Sequence, residues 1–361
     1  MRRHSFSGSS ESRSSKSRRG FASPFCAILP PHILISIVAR GTAEERREAL
    51  ATLALSERFR GRRRLLGALV VATPAGEKRR SVFDAHHKTT LPGTLVRTEG
   101  EAPTADVEVN EAYDGAGATY DLYFEVYGRN SIDDRGMRLD SSVHYGRAYD
   151  NAFWDGTQMV YGDGDGKLFE RFTLAVDVIG HELTHGVTAH EANLDYSDQP
   201  GALNESFSDV FGSLVKQHLS GQTAEAADWL IGEGLFTSKV QGVALRSMKA
   251  PGTAYDDPVL GKDPQPATMK GYVETTDDDG GVHINSGIPN RAFYLAAVSI
   301  GGNAWEKAGQ IWYDALTKRL RHDSDFPAAA KETLAAAAER YGSSGPEAKA
   351  VSDAWKQVGV S

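Results

Sequence analysis

The sequence predicts an α+β protein of two lobes, the first β-rich and the second mainly α-helical, carried behind a basic N-terminal segment. Its 361 residues suffice for two cores, since domains commonly run to about 100–200 residues each. From about Ser81 to Gly166, short apolar runs such as Val107 to Val109 and Tyr120 to Tyr127 alternate with Gly- and Asp-rich turns, which reads as β-strands. From Phe172 to His190 the pattern becomes that of a long helix, and helical spacing prevails through the Ala- and Leu-rich stretches near the end.

The N-terminal segment differs from the rest in charge. Residues 1–80 carry 17 of the 40 Lys and Arg against 6 of the 48 Asp and Glu, leaving 23 against 42 in the other 281. A head of +11 on a body of −19 suggests that the two pair with each other rather than with nucleic acid. The first 20 residues are Ser- and Arg-rich, a composition expected to be disordered. Ser17, Arg18, Arg19 and Phe21 loosely resemble a twin-arginine export signal, but Pro30 and Pro31 interrupt the apolar stretch that should follow. The chain is therefore expected either in the cytoplasm or secreted without a standard signal peptide. Thr42 to Phe59 reads as an amphipathic helix opened by a Thr42/Glu45 capping box and burying Leu50 and Leu53. The Arg- and Gly-rich stretch from Arg60 to Arg80 looks like an exposed connection open to proteolysis, which divides the chain into units 1–71, 72–190 and 191–361. No run of about 20 apolar residues exists, so no membrane span is expected, and a monomer is. Cys26 is the only cysteine, so an internal disulfide and a cysteine-rich metal site are both excluded.

Any metal must then be held by His and carboxylates, and the sequence offers such a set. In His181-Glu182-Leu183-Thr184-His185, at about 100° per residue, the two His project from one helix face one turn apart. Together they can bind one metal, with Glu182 close enough to reach a water there without being a ligand. A catalytic zinc needs a third protein ligand. A third His three residues beyond a Gly is the metzincin solution, but Thr188 and Glu191 occupy those places, and His190 misses the register and reads as a helix-surface residue. Twenty residues past His185, Asn204-Glu205-Ser206-Phe207-Ser208-Asp209 puts Glu205 and Asp209 on one face of a second helix. Glu205 would complete a His, His, Glu site, and Asn204 and Asp209 suit the acceptors that orient metal-bound imidazoles.

These residues resemble the thermolysin family of zinc metallopeptidases. The likeness covers about residues 81–361 and includes Asn151-Ala152-Phe153-Trp154, the turn Tyr161 to Gly166, both zinc helices, Leu245-Arg246-Ser247-Met248 and Gly280 to Gly287. It implies a two-lobed fold with the zinc site in the cleft, and hydrolysis of internal peptide bonds of proteins and peptides. By the resemblance, His181, His185 and Glu205 bind one catalytic zinc, and Glu182 is the general base and proton shuttle. His283 and Tyr196 stabilise the oxyanion, and Asp278 orients the His283 ring. Asn151, the Ala152 backbone and Arg246 hold the substrate's peptide groups. Phe169, Phe172, Val178, Ile231 and Leu245 line the pocket for the residue after the cut bond, with Phe172 bulkier than the Leu usual in the family. An exopeptidase would need a group for a free substrate terminus, which Arg246 could supply although the resemblance assigns it elsewhere; an inactive relative would lack the base or a ligand, and here Glu182 and all three ligands are present.

The family's double-calcium site maps to Asp177, Lys216, Asp228, Leu230 and Glu233, so two of five acids are replaced. That site is expected to be absent, with Lys216 placing its own charge among the remaining acids and other calcium sites left open. Pro30-Pro31-His32-Ile33-Leu34 resembles the double-proline motif of the protealysin-like branch, whose members carry short propeptides, although a helical regulatory segment of another kind would also fit. Residues 1 to about 71 are then expected to act as the chain's own propeptide, removed by self-cleavage between about Leu65 and Arg80. Cys26 could alternatively act as an inhibitory thiolate on the zinc.

Overall fold

The computed structural model describes residues 26–60 and 74–360, apart from the side chains of Cys26 and residues 57–60. The twin-arginine-like run, the Ser- and Arg-rich first 20 residues, the Cys26 thiol and most of the expected cleavage stretch, through residue 73, lie outside the described residues.

The N-terminal segment contributes a short strand, β1 (Cys26–Ala27), and two helices, α1 (Pro31–Arg40) and α2 (Ala43–Arg60). Pro30 is extended and Pro31 occupies the first helical position, where a missing N–H costs nothing, so the double proline converts a strand into a helix start. α2 opens with the expected capping box: Glu45 Oε2 accepts from the Thr42 amide at 2.7 Å and Thr42 Oγ1 from the Glu45 amide at 3.3 Å. Its buried face differs from the expectation. Leu50 is exposed and Leu53 only half-buried, whereas Ala49, Thr52 and Ser56 are buried. That small, polar face bonds to the body through Thr52 Oγ1, which accepts from the Asp150 amide, and Ser56 Oγ, 3.2 Å from Tyr149 Oη.

The first lobe contains β2 (Arg80–Asp84), β3 (Thr94–Thr98), α3 (Val107–Asp121), β4 (Leu139–Val143), β5 (Ala152–Trp154) and β6 (Met159–Tyr161). The strands form one mixed sheet in the order β1-β5-β6-β4-β2-β3. β1 is thus an added edge strand, antiparallel to β5, with Cys26 opposite Trp154 and Ala27 opposite Phe153.

Two of the expected strands are helical. Val107 to Val109 begins α3, and Tyr120 to Tyr127 is the end of α3 running into one π-helical turn over Leu122–Val126. Asp106 caps α3, accepting from the amides of Glu108 and Val109 at 2.9 and 3.3 Å. Val109, Ala112, Tyr113, Ala116 and Tyr120 are buried at helical spacing, and this longer period outweighs the local valine alternation. A Cβ at Gly115 would stand 2.3 Å from Ile179 Cδ1, so glycine permits α3 to press onto the next helix.

That helix is α4 (Val176–His190), one turn shorter than expected because Phe172–Leu174 forms a separate 3₁₀ turn. α4 packs along α5 (Asp198–Ser220). A Cβ at Gly212 would fall 2.4 Å from Asp177 O and 3.0 Å from His181 N, so this glycine sets how closely the two helices approach. β7 (Leu230–Ile231) and β8 (Arg246–Ser247) form a small hairpin beside them. The helices α6 (Asp278–Asn285), α7 (Gly287–Ile300), α8 (Lys307–Lys318), α9 (Phe326–Tyr341) and α10 (Pro346–Gln357) complete the second lobe around Phe293, Trp312 and Trp355. Among the described residues no helix is long and apolar enough to cross a membrane.

Candidate active site

α4 supplies His181, Glu182 and His185, and the i, i+4 spacing brings the two Nε2 atoms to 3.0 Å. Metal-ligand atoms of these three residues all lie within 4.8 Å of one another. α5 supplies Glu205, whose Oε2 is 3.4 Å from His181 Nε2 and whose Oε1 is 3.5 Å from His185 Nε2. The far side of each imidazole is already satisfied. His181 Nδ1 lies 2.8 Å from Asp209 Oδ1, and His185 Nδ1 lies 2.8 Å from Asn204 Oδ1 and 3.0 Å from Ser208 Oγ. An N–H on each Nδ1 leaves both Nε2 lone pairs aimed at one point beside a carboxylate.

This donor set fits zinc. Two imidazole nitrogens 3.0 Å apart repel unless a positive charge stands between them, and Glu205 Oε2 is buried with ion-pair contacts to His181 and His283 at 3.4 and 3.5 Å. Burial alone would lower the His181 pKa, but the hydrogen bonds of Asp209 and Glu205 raise it to about 9. The pocket therefore favours positive charge. Burial likewise works to raise Asp209, yet Arg246 and His181 hold its carboxyl at about 2. Arg246 donates through Nε to Asp209 Oδ2 at 2.9 Å and through Nη2 to Oδ1 at 2.8 Å, both groups being buried.

Tyr196 and His283 stand on the other side of Glu205. The Tyr196 hydroxyl donates to Glu205 Oε1 and is 3.3 Å from His283 Nε2. His283 Nδ1 is 2.7 Å from Asp278 Oδ1, while Asp278 Oδ2 accepts from the His283 amide at 2.9 Å. Left-handed backbone at Asp279, Gly280 and Gly281 kinks the start of α6, which lets Asp278 reach back to His283. Burial would lower the His283 pKa, but Asp278 and Glu205 raise it to about 9.

Two partners were not visible in the sequence. The Trp154 amide donates to Glu182 Oε2 at 2.9 Å, and Asn290 Nδ2 donates to Asp209 Oδ2 at 2.8 Å across 81 residues of chain. Asn290 lies just beyond the Gly280 to Gly287 block, so proximity to that block is its only sequence signal. His190 is exposed at the end of α4, away from this cluster's buried donors.

The groups expected to hold substrate peptide atoms are engaged by the chain's own N-terminal segment. Asn151 Oδ1 accepts from the Leu29 amide at 2.9 Å, Ala152 O accepts from the Ile28 amide at 3.1 Å, and Arg246 Nη1 donates to Ile28 O at 3.1 Å. Ile28 and Leu29 are both buried. Beyond the double proline, His32 Nε2 sits 3.0 Å from Tyr255 Oη, and Ser36 Oγ donates to Val259 O. The expected charge pairing is met at the end of the basic segment, where Lys78 pairs with Asp121 at 2.8 Å and Arg80 with Glu99 at 2.5 Å, and is reversed at α2, where Lys167 of the body binds Glu44 and Glu48 at 3.1 and 3.0 Å. At β1, α1 and α2 it is main-chain pairing, side-chain hydrogen bonds and apolar burial that hold the segment on the body.

Phe169, Phe172, Val178, Ile231 and Leu245 are all fully buried. The Phe169 and Phe172 rings lie 6.0 Å apart, and Leu245 N donates to Ile231 O where β7 meets β8. Behind α4, Lys216 Nζ lies 3.6 Å from Asp177, 2.7 Å from Asp228 and 3.2 Å from Glu233.

Comparison with known proteins agrees with this geometry. Residues 73–189 match the thermolysin metallopeptidase catalytic domain and residues 192–360 match the thermolysin metallopeptidase alpha-helical domain. An extracellular metalloprotease of Pectobacterium carotovorum is 52% identical, covering 93% of this chain and 97% of that protein. Protease PrtS of a Photorhabdus strain is 46% identical, covering 92% and 91%. The solved structure of the precursor of protealysin, a metalloproteinase from Serratia proteamaculans, is 54% identical with a TM-score of 0.86, covering 93% of this chain and all of that one.

Proposed function

The chain belongs to the thermolysin family of metallopeptidases, and from that premise we propose how its own residues divide the work of a zinc-dependent endopeptidase made as a precursor. His181, His185 and Glu205 are the zinc ligands. Zinc supplies a Lewis acid that polarises a carbonyl and makes water acidic near neutral pH. Asp209 and Asn204 fix the imidazoles, and Arg246 and Asn290 in turn hold Asp209 ionised and in place. Glu182, oriented by the Trp154 amide, takes the proton of the attacking water and delivers it to the leaving amine. Tyr196 and His283 donate hydrogen bonds to the oxyanion, and Asp278 keeps the His283 ring turned and charged. The convergence of His181 and His185 Nε2 beside Glu205, with both Nδ1 atoms already satisfied, carries this reading.

Asn151, the Ala152 backbone and Arg246 bind an extended peptide backbone, and their present occupant supports the assignment: Ile28 and Leu29 meet these groups as a strand would. Phe169, Phe172, Val178, Ile231 and Leu245 form an apolar pocket that selects Leu, Phe or Val just after the cut bond. A peptide library blocked at both ends tests the whole reading. Cleavage at internal bonds before apolar residues, lost to a zinc chelator and restored by zinc, is expected. Cleavage confined to unblocked ends, or a preference for charged residues at that position, would overturn it.

A further inference from the structure

The first lobe holds a second group of metal-ligand side chains, remote in sequence from the zinc helices and unused by the reaction above. It gathers four elements: His87 from the turn after β2, Glu108 from the first turn of α3, His144 just after β4 and Asp163 just after β6. His144 is the hub. Its Nδ1 is 3.1 Å from Asp163 Oδ1 and 3.3 Å from Glu108 Oε2, while its Nε2 is 2.8 Å from Asp106 Oδ2. His87 Nδ1 reaches the other oxygen of Asp163 at 3.2 Å, and ligand atoms of His87, His144 and Asp163 all lie within 4.8 Å of one another. Glu108 Oε2 is buried and, among the described residues, receives no hydrogen bond.

Three features of this arrangement point to a cation rather than to an ordinary ion-pair cluster. Asp106, Glu108 and Asp163 surround one imidazole, so a protonated His144 still leaves negative charge in excess. Two nitrogens and two carboxylates converge, a mixed donor set that suits zinc or a similar transition ion and is poor for calcium, which prefers oxygen alone. The hub imidazole also presents Nδ1 to the shared point while Nε2 gives its hydrogen to Asp106, which repeats the pattern of His181 with Asp209 at the other site. His86 is occupied elsewhere, with Nδ1 2.8 Å from Asp84 and Nε2 3.0 Å from Thr94 Oγ1.

We propose that His87, His144, Asp163 and Glu108 form a second transition-metal site, structural in role, with Asp106 orienting His144. An ion there ties the β2 turn, the start of α3, the end of β4 and the loop after β6 together. That loop leads directly to Phe169 and Phe172. The wall around the site is open on one side, bounded by Asp84, His86 and the four ligands, so a water can complete the coordination. The proposal stands apart from the catalytic assignment, because none of its ligands touches that site.

The test uses the full chain carrying Glu182→Ala, stripped of metal and dialysed against Zn²⁺ alone, with bound metal measured by mass spectrometry of the elements. Two equivalents are expected. Adding His87→Gln, an exposed change, or Glu108→Gln, which keeps shape and removes charge, should each lower the content from two to one while the circular dichroism spectrum is unchanged. One equivalent before either change, or two equivalents surviving both, would overturn the proposal. So would calcium excluding zinc from the second position.

Discussion

Glu182 shows at single-residue scale how little chain is needed to specify this chemistry and how much is needed to hold it. Its carboxylate accepts from the main-chain N–H of Trp154, and it neighbours the ligand atoms of His181 and His185. Glu182→Ala should therefore retain catalytic zinc in full while peptidase activity falls by about 10²–10⁴, the range general acid–base catalysis contributes. Metal analysis beside a blocked-peptide assay checks this, and activity within about tenfold of the parent would refute the role. The pairing of His181 with His185 was legible because residues four apart share one helix face, and so for the same reason was that of Glu205 with Asp209. The Trp154 amide and Asn290 were not. A backbone donor leaves no residue signature, and a partner 81 residues away from Asp209 is joined to it only by the packing of α7 on α5.

At the scale of elements, the long helices around the site were readable from their period, whereas Val107 to Val109 and the apolar run Tyr120 to Tyr127, both of strand-like length, were misread. Val107 and Val109 alternate like a strand, but the Asp106 cap and the buried stripe through Tyr120 decide for a helix. Leu50 illustrates the converse: an apolar residue on an amphipathic helix stays exposed because α2 meets Tyr149 and Asp150 through hydroxyls. The junction of α4, α5 and β7 contains Lys216, which approaches Asp177, Asp228 and Glu233 at 3.6, 2.7 and 3.2 Å. Its ammonium stands where a cation would otherwise be needed, and Asp177 is buried so deeply that its carboxyl rises to about 6 despite that charge. We therefore expect the melting temperature to change little with a calcium-selective chelator while zinc is held in place. Lys216→Met should lower stability by roughly 1–3 kcal/mol, because it leaves a buried carboxylate without its partner. A large chelator-induced fall, reversed by calcium and abolished by Asp177→Asn, would show that these acids hold calcium after all.

For the whole molecule, the N-terminal segment is the element that makes the cleft unavailable, since β1 and residues 28–29 use the very groups assigned to substrate. Self-processing should follow from that placement: the Glu182→Ala chain is expected to accumulate as intact precursor, and normal maturation of that pure variant would identify another protease. Release after cleavage should also depend on pH, through His32. Burial lowers this histidine from 6.5 to about 4 in the docked state; Asp278 opposes the shift, and His283 and Arg246 add to it. Tyr255 Oη, 3.0 Å from Nε2, is the other group facing the ring, from the body loop before Asp256. A histidine whose pKa is lower docked than free gains a proton on release, so docking is at full strength above about pH 6.5 and weakens as pH falls toward 4. The sign is opposite to that of a surface histidine paired with a carboxylate, because burial, the largest influence on this ring, disfavours its charged form and outweighs the opposing pull of Asp278. With the Glu182→Ala chain nicked by an added protease within residues 61–73, size-exclusion chromatography should find the N-terminal fragment bound near neutral pH and separating at about pH 5. His32→Gln, which keeps a hydrogen-bonding group but cannot charge, should hold the fragment at both pH values. Equal release from the two chains at the lower pH would assign the acid sensitivity to a group other than His32.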